Sequence, residues 1–215
     1  MPTINYLTRI EFNFGAIADL GAEIERLGLK RPLLVTDKGI AAAGILQRVL
    51  DAASPSQPVV YDGTTENPEE QSLLACLDIW KDKGCDGVIA LGGGSPIDLA
   101  KAVALLTSHG GNLADYNVKT GGSARIGKVS PQIAIPTAAG TGAEVGRACV
   151  MRLLDGSKMV AVNLNMVADL VICDPELTLS LPPLMTAATG IDALSHGIET
   201  CCSPLDNPPA AAIAL

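Results

Sequence analysis

The stretch GVIALGGGSPIDLAKAV, residues 87–103, runs from an apolar segment through three glycines into a helix-like segment. Its first five residues predict a buried strand, and Pro96 fits the first position of a helix. Glycines let backbone amides approach an anion closely, and a helix N-terminus adds unpaired N–H groups and a favourable dipole. The stretch therefore predicts a turn that holds a phosphate or diphosphate. The alternative is a simple tight turn with Ser95 as an N-cap, and the GxGxxG spacing of the common dinucleotide fingerprint is absent.

Similar apolar runs occur on both sides of this unit, at PLLVT (32–36), PVVY (58–61) and QIAI (132–135). Helix-like segments separate the runs up to residue 91, and this alternation predicts right-handed βαβ units in a mainly parallel sheet. The runs are continuously apolar, as expected for strands that helices cover on both faces. The predicted fold class is therefore α/β with a doubly wound sheet.

Other segments carry weaker signals. RIEFNFG (9–15) is typical of a strand or hairpin arm, and the polar, glycine-rich residues 109–130 predict a long surface excursion. Helical spacing predicts helices over about 16–27, 38–52 and 68–83, the last with Asn67 as N-cap and Pro68 at the first helical position. MVAVN (159–163) and ADLVICDP (168–175) predict two short strands, and a longer helical pattern begins at about Leu179.

Composition excludes several classes of protein. The net charge of −8 argues against a polyanion such as nucleic acid as partner. The first residues lack the features of a signal peptide, and no apolar run approaches the roughly 20 residues that cross a bilayer, so a cytoplasmic protein without membrane contact is expected. The six cysteines include no CxxC pair, and four or more of them are expected to be reduced core residues.

Two more loops follow predicted strands. Asp37 comes directly after PLLVT, where a carboxylate can accept hydrogen bonds from an adenosine ribose and repel a 2′-phosphate, which favours NAD over NADP. The alternative is an ordinary acid at a helix N-terminus. PTAAGTGAE (136–144) offers the hydroxyls of Thr137 and Thr141 and bare backbone at two glycines, although it could be a close-packed turn. All three loops are expected to face one crevice.

GIDALSHGIE, residues 190–199, places His196 four residues after Asp192. On a helix these side chains share one face, so they could be two arms of a metal site, or an ordinary ion pair or core histidine. Cys201 and Cys202 follow five and six residues after the histidine, off the ligand face or two turns away. They are not expected to complete a zinc site.

GGGSPIDLAK, PTAAGTGAE and DPELTLSLPPLMTAATGIDALSHGIE together closely resemble the iron-containing (group III) alcohol dehydrogenases. The resemblance covers essentially the whole chain. It implies a Rossmann-like dinucleotide-binding domain over residues 1–178, followed at 179–215 by the first helices of an all-helical metal-binding domain. Two further histidine ligands of the family have no counterpart here, so the chain is expected to be truncated within the helical domain.

The resemblance also implies the site residues. Asp192 and His196 match the first two metal ligands, for Fe²⁺ or alternatively Zn²⁺. The cofactor-binding residues carried over are Asp37, Asn67, Gly93, Gly94, Ser95, Asp98, Thr137, Ala138, Thr141, Lys158 and Leu177. The chain departs from the common family text TTAGTGSE at Ala138 and Ala143, which puts one or two polar contacts in doubt.

The activity implied is reversible hydride transfer between an alcohol and nicotinamide, with an alcohol and its aldehyde or ketone as substrates and NAD preferred to NADP. As a chain of this length the protein is expected to be inactive. Two alternatives stay open: a nucleotide-binding module without catalysis, or a related enzyme of the glycerol dehydrogenase, maleylacetate reductase or dehydroquinate synthase type. A homodimer or larger homo-oligomer is expected, because missing helices would leave an apolar face exposed.

Overall fold

A computed structural model describes residues 8–204 and 207–215. The strands are β1 (Arg9–Phe12), β2 (Leu33–Val35), β3 (Val59–Tyr61), β4 (Val88–Gly92), β5 (Gln132–Pro136), β6 (Ala148–Arg152), β7 (Lys158–Val162) and β8 (Leu170–Cys173). The α-helices are α1 (Leu20–Arg26), α2 (Lys38–Ala42), α3 (Ile45–Ala52), α4 (Glu70–Lys83), α5 (Gly94–His109), α6 (Pro183–Cys201) and α7 (Pro208–Ala214). Short 3-10 turns cover 16–19, 113–116, 118–120, 122–125, 164–166 and 175–178.

Six strands form one parallel sheet in the order β1-β8-β5-β4-β2-β3. The chain moves outward from β2 to β3, then returns to the other side of β2 as β4 and continues away through β5. The strand order therefore reverses between β2 and β4, and ligands of doubly wound sheets bind beyond the carboxyl ends of the strands at such a point. The α/β fold class predicted from the sequence is confirmed.

The sheet is buried on both faces because its central strands are apolar at nearly every position. All five residues of β4 are buried; Val88 and Ala90 pack into the core that includes α4 and α5, whereas Ile89 and Leu91 pack into the opposite core, which includes α1 and α3. Full burial of such a side chain contributes about 1.5–3 kcal/mol. These two cores fix the carboxyl end of β4, from which the glycine-rich turn starts.

Several local predictions are wrong, each for a physical reason. Of the two alternatives for RIEFNFG, the strand is confirmed and the hairpin arm is wrong, since β1 pairs in parallel with β8 at the sheet edge. The helix expected over 38–52 is divided into α2 and α3 by Gly44, which has a φ of +76°. Helix α4 begins at Glu70 rather than at Pro68, and Asn67 has a φ of +54°, which is no N-cap geometry. The Pro68 carbonyl instead accepts a hydrogen bond from the Arg152 amide.

The segment 109–130 is not the loose excursion that its composition suggests. Its 3-10 turns bury Leu113, Tyr116 and Ile126 against the core, and the buried Ser123 hydroxyl both donates to the Tyr116 carbonyl and accepts from the Val162 amide. The last of these contacts holds the segment against β7. That strand forms an antiparallel hairpin with β6, a strand that the sequence did not predict.

Helices α6 and α7 pack on each other, and no residue of either is buried. Helix α6 starts at Pro183, a few residues after the predicted change of pattern. In the described part of the chain, no helix is long and apolar enough to span a membrane. The predicted domain boundary at 178/179 stays a prediction, and residues 1–7 and 205–206 of the two predicted domains lie outside the described residues.

Candidate functional site

The glycine-rich turn after β4 leaves the start of α5 open. Gly92 has a φ of +140°, which suits only glycine, and Gly93 occupies the N-cap position. Gly93 has no side chain with which to cap the first-turn amides, and a Cβ added there would meet nothing within 4 Å. Ser95 lies within the first turn, so its reading as the N-cap is wrong. The amides at this helix start are free to receive an anion.

Asp37 follows β2 on the neighbouring strand. Its Oδ1 accepts a hydrogen bond of 2.9 Å from the Ile40 amide, so it caps α2 as the structural alternative anticipated. Its Oδ2 lies on the side of the glycine turn, 3.5 Å from the position of a Cβ on Gly92. One carboxylate oxygen therefore holds the helix while the other faces the turn.

The loop after β5 lies across the start of α5. The Thr137 amide donates to the Gly92 carbonyl at 3.1 Å, and the Thr137 side chain is buried. The side chain of Thr141 covers Gly94 so closely that a Cβ there would be 3.0 Å from its Oγ1 and Cγ2. The three strand-end loops thus meet at one place, as the sequence predicted.

Beside these loops lies a cavity of about 400 Å³ that opens to solvent. Six of the predicted cofactor residues line it: Asn67, Gly94, Ser95, Asp98, Thr141 and Lys158. Of the other five, Leu177 lies in the core on the α1 and α3 side, and Asp37, Gly93, Thr137 and Ala138 are not among the lining residues. Arg152 and Met151 also line the cavity, and the sequence did not indicate them because β6 was missed.

Asp98 lies in the second turn of α5, and its Oδ2 accepts a 3.0 Å hydrogen bond from the Val150 amide. Burial raises the pKa of this carboxyl from 3.8 to about 6, and the Val150 hydrogen bond and the nearby Lys101 charge limit the rise. The carboxyl joins the helix that holds the glycine turn to the hairpin strand that carries Arg152.

Asp192 and His196 lie one turn apart on α6, with 3.9 Å between Asp192 Oδ1 and His196 Nε2. Two ligands of one divalent cation stand about 3–3.5 Å apart when the metal bonds are about 2.0–2.2 Å, so the pair needs only a small adjustment. His196 Nδ1 is 3.1 Å from the Gly140 carbonyl. A carbonyl only accepts, so Nδ1 carries the proton and, in the neutral ring, Nε2 keeps its lone pair for a metal.

Gly140 joins this pair to the cofactor loops. It has a φ of +110°, and a Cβ there would lie 2.8 Å from Asp192 Oδ2. Within residues 8–204 and 207–215, no third His, Cys, Asp or Glu joins Asp192 and His196 in a metal-binding group. A carboxylate and an imidazole are ligand types that a divalent cation such as Fe²⁺ or Zn²⁺ takes in proteins.

The other side chains with metal-binding or nucleophilic groups are His109 and the cysteines. His109 Nε2 accepts a hydrogen bond from the Gly127 amide at 2.9 Å. Cys201 and Cys202 are exposed free thiols near the end of α6. Of the other cysteines, Cys76, Cys85 and Cys149 are buried free thiols and Cys173 is half-buried, so three cysteines are buried where four or more were expected.

Architecture and site together define a Rossmann-like α/β protein with a strand-end ligand cleft. The family model of iron-containing alcohol dehydrogenase matches residues 8–175, and the chain belongs to that family. A 4-hydroxybutyrate dehydrogenase from Cupriavidus necator is 50% identical over 100% of this chain and 56% of its own length. A choline dehydrogenase from Bacillus subtilis is 36% identical over 99% of this chain and 54% of its own length.

Solved structures agree with this assignment. A 1,3-propanediol oxidoreductase superposes with a TM-score of 0.91 at 32% identity, covering 99% of this chain and 56% of its own. A sulfoacetaldehyde reductase from Bifidobacterium kashiwanohense, solved in complex with NAD⁺, gives 0.89 at 32% identity over 100% of this chain and 57% of its own. The chain therefore spans little more than half the length of the relatives it matches.

Proposed function

We propose that this chain is the cofactor-binding part, with the first half of the metal site, of an NAD-dependent and divalent-metal-dependent alcohol dehydrogenase. The observation that carries the proposal is the position of Gly140. Its loop continues to Thr141 over the start of α5, while Gly140 itself touches both Asp192 and His196. A cofactor held at the glycine turn and a metal held by that pair would share one loop.

The residues of the chain have distinct roles in this proposal. The amides of Gly93, Gly94 and Ser95 bind the cofactor diphosphate, and Asp37 Oδ2 accepts from the adenosine ribose. Lys158 reaches the nicotinamide ribose from the far wall of the cavity. A carboxylate at position 37 repels the 2′-phosphate of NADP, so NAD is the preferred cofactor.

The proposed hydride transfer depends on where these residues lie and on two bound groups, NAD and a divalent metal. When bound, NAD accepts or returns the hydride, and Fe²⁺, or alternatively Zn²⁺, supplies Lewis acidity that lowers the pKa of the alcohol. Asp192 and His196 would hold the metal, and the Gly140 carbonyl orients His196 by accepting a hydrogen bond from its Nδ1–H. The loops after β4 and β5 hold the reacting carbons together and exclude water.

For the substrate we propose a small primary alcohol, with a short hydroxy acid as the first compound to test, because the relative at 50% identity is named a 4-hydroxybutyrate dehydrogenase. A maleylacetate reductase from Agrobacterium tumefaciens also superposes, with a TM-score of 0.80 at 27% identity. The presence of both Asp192 and His196 favours the metal-dependent alcohol dehydrogenase over that alternative.

A second candidate is a nucleotide-binding module without catalysis. It is favoured by the metal pair, which has only two of the four ligands that the resemblance implies. As 215 residues, the chain is then expected to bind NAD weakly or moderately, to hold metal poorly and to turn over little or no alcohol. The two candidates differ in what happens when the coding sequence downstream of Leu215 is added.

The test is a steady-state assay of NADH formation from 4-hydroxybutyrate and from 1,3-propanediol with added Fe²⁺ or Zn²⁺. It is run on the 215-residue chain and on the chain extended by its downstream coding sequence. Turnover by the extended chain that Asp192→Asn abolishes and Glu199→Gln preserves supports the enzyme. Robust turnover by the 215-residue chain contradicts the half-site, and metal-independent turnover contradicts the role of Asp192.

A further inference from the structure

Lys101 is the one buried side chain among the eight lysines, all of which lie in the described residues. Only 1% of it is exposed, and it sits on α5 two turns after the glycine turn. Its Nζ donates to the carbonyls of Ala143 at 2.6 Å, Gly146 and Ala148 at 3.2 Å. An ammonium has three donors, so this cation is fully satisfied by three backbone acceptors.

These acceptors belong to the segment 143–148, which leads from the threonine–glycine loop into β6. Apart from Lys101, the segment is held by turn bonds such as the Gly146 amide to the Gly142 carbonyl and, at its far end, by the bond from the Asn163 amide to the Arg147 carbonyl. The turn bonds fold residues 143–146 locally, but they do not fix these residues to α5. Lys101 does so, because its stem is embedded in the core on α5.

The loop that Lys101 holds touches both halves of the proposed site. At one end Thr141 lies over Gly94 at the start of α5. At the other end Gly140 lies against Asp192 and offers its carbonyl to His196. A displacement of residues 140–148 would move the cover of the glycine turn and the support of the metal pair together.

Stability alone does not require a lysine at this position. Taking an ammonium out of water is costly, and burial lowers the pKa of Lys101 even though Asp98, Cys149 and Glu144 oppose that shift. A buried apolar side chain would avoid this cost but would donate nothing to the three carbonyls. The cation accordingly stabilises one conformation of the loop rather than the core as such.

We propose that Lys101 is a positioning residue, which orders the loop 140–148 into the conformation that binds NAD beside the metal pair. The proposal rests on the proposed function, since it assumes that the cleft takes NAD. It assigns Lys101 no contact with cofactor or substrate. Lys101 affects NAD binding through its hydrogen bonds to three backbone carbonyls of the loop.

The first test compares Lys101→Met with Leu105→Ala in calorimetric titrations of the chain with NAD. Methionine matches the length of the lysine stem and removes the donors, so the Kd for NAD is expected to rise at least about tenfold. Leu105 is fully buried one turn further along α5, and its side chain has no hydrogen-bond donor. Its truncation lowers the melting temperature but should leave the Kd within about twofold.

The outcomes separate the inference from the proposed function. If the wild-type chain binds no NAD, the proposed function fails and the inference fails with it. If the wild-type chain binds NAD and Lys101→Met, folded by circular dichroism, binds it equally well, only the inference is overturned. Equal losses in Lys101→Met and Leu105→Ala also overturn it, because general destabilisation then explains both.

A wild-type measurement covers the case in which Lys101→Met does not fold. Lys101 should give the single slowly exchanging lysine ammonium signal in a nitrogen-detected NMR spectrum, because the other seven lysines are exposed. Saturation with NAD is expected to shift that signal, since the loop carbonyls tighten around the bound cofactor. An ammonium signal that stays in place on saturation overturns the proposal.

Discussion

The two longest helices are α5, which carries the glycine turn, and α6, which carries Asp192 and His196, and they are held in opposite ways. Helix α5 has ten buried residues, whereas α6, which is three residues longer, has none. Helix α5 is fixed along its length by the sheet and by α4. The contacts of α6 described above are with α7 and, through Asp192 and His196, with Gly140.

This difference shows how the protein holds the glycine turn on α5 and the Asp192–His196 pair on α6. The glycine turn belongs to a helix that the core already fixes, so the backbone amides of this turn are held in place. The metal pair belongs to a helix that exposes large apolar side chains at Leu184, Ile191, Leu194, Ile198 and Met185. Those side chains need cover, and the relatives extend well beyond the length of this chain.

Truncating one leucine on each helix should give the largest contrast. Leu99→Ala removes a fully buried side chain from α5 and is expected to lower the free energy of unfolding by about 2–5 kcal/mol. Leu194→Ala removes a side chain that is 63% exposed on α6, so a change within about 0.5 kcal/mol is expected. Urea unfolding measures both. Equal losses of unfolding free energy in the two variants would mean that α6 is packed in solution. That result would contradict the difference between α5 and α6.

The buried Asp98 should make the free energy of unfolding depend on pH. Its pKa is raised in the folded protein, from 3.8 to about 6, so the folded state holds this proton more tightly than the unfolded state. Its contribution to stability is therefore greatest below about pH 4 and is lost as the pH rises to about 6, by on the order of 1–3 kcal/mol. Asp98→Asn should remove that loss.

The measurement is the difference in urea unfolding free energy between Asp98→Asn and wild type at several pH values, because other carboxyls cancel in the difference. Asparagine still accepts from the Val150 amide, so the variant should fold. A difference that does not change between pH 4 and 6 would show that Asp98 is not buried as described.

A methyl group at the glycine turn should weaken NAD binding without lowering the stability of the fold. Gly93→Ala meets nothing within 4 Å and has an ordinary φ of −81°, so stability should change by less than about 0.5 kcal/mol. The new methyl occupies the approach of the diphosphate, and a roughly tenfold rise in the Kd for NAD is expected. Gly190→Ala is the matched change on α6, also in open space, and should leave the Kd unchanged.

Asp37→Asn should give the smallest of these effects. Asparagine is as good an N-cap as aspartate, so α2 should keep its start. Loss of the negative charge is expected to raise the Kd for NAD by about fivefold and to reduce the preference for NAD over NADP. Asp51→Asn, an exposed change of the same charge on α3, is the control. If both variants narrow the preference equally, a general field and not the Asp37 carboxylate selects the cofactor.

How much the sequence predicts depends on how local the signal is. The sheet was predictable because β2, β4 and β5 are apolar at nearly every position, and the glycine turn because glycine has few other reasons to occur three times between strand and helix. Strand β6 was missed because ACVMR alternates buried and less buried residues and carries an arginine. The hairpin with its cavity residue Arg152 was missed with it.

The role of Lys101 could not be predicted for a different reason. Its acceptors are backbone carbonyls 42 to 47 residues later, and carbonyls leave no trace in the sequence. Asn67 was misread because Pro68 and Glu69 meet Arg152 on the hairpin, and this contact overrides the local helix signal. Spacing alone indicated Asp192 and His196, while their approach to Gly140 depends on the tertiary fold.

The most direct test of the account is a calorimetric titration of the 215-residue chain with NAD. We expect saturable binding of one NAD per chain, weaker NADP binding, and no need for added metal, because the core fixes the glycine turn independently of Asp192 and His196. Absence of NAD binding, or binding that appears only with Fe²⁺ or Zn²⁺, would contradict the proposal that this chain binds the cofactor by itself.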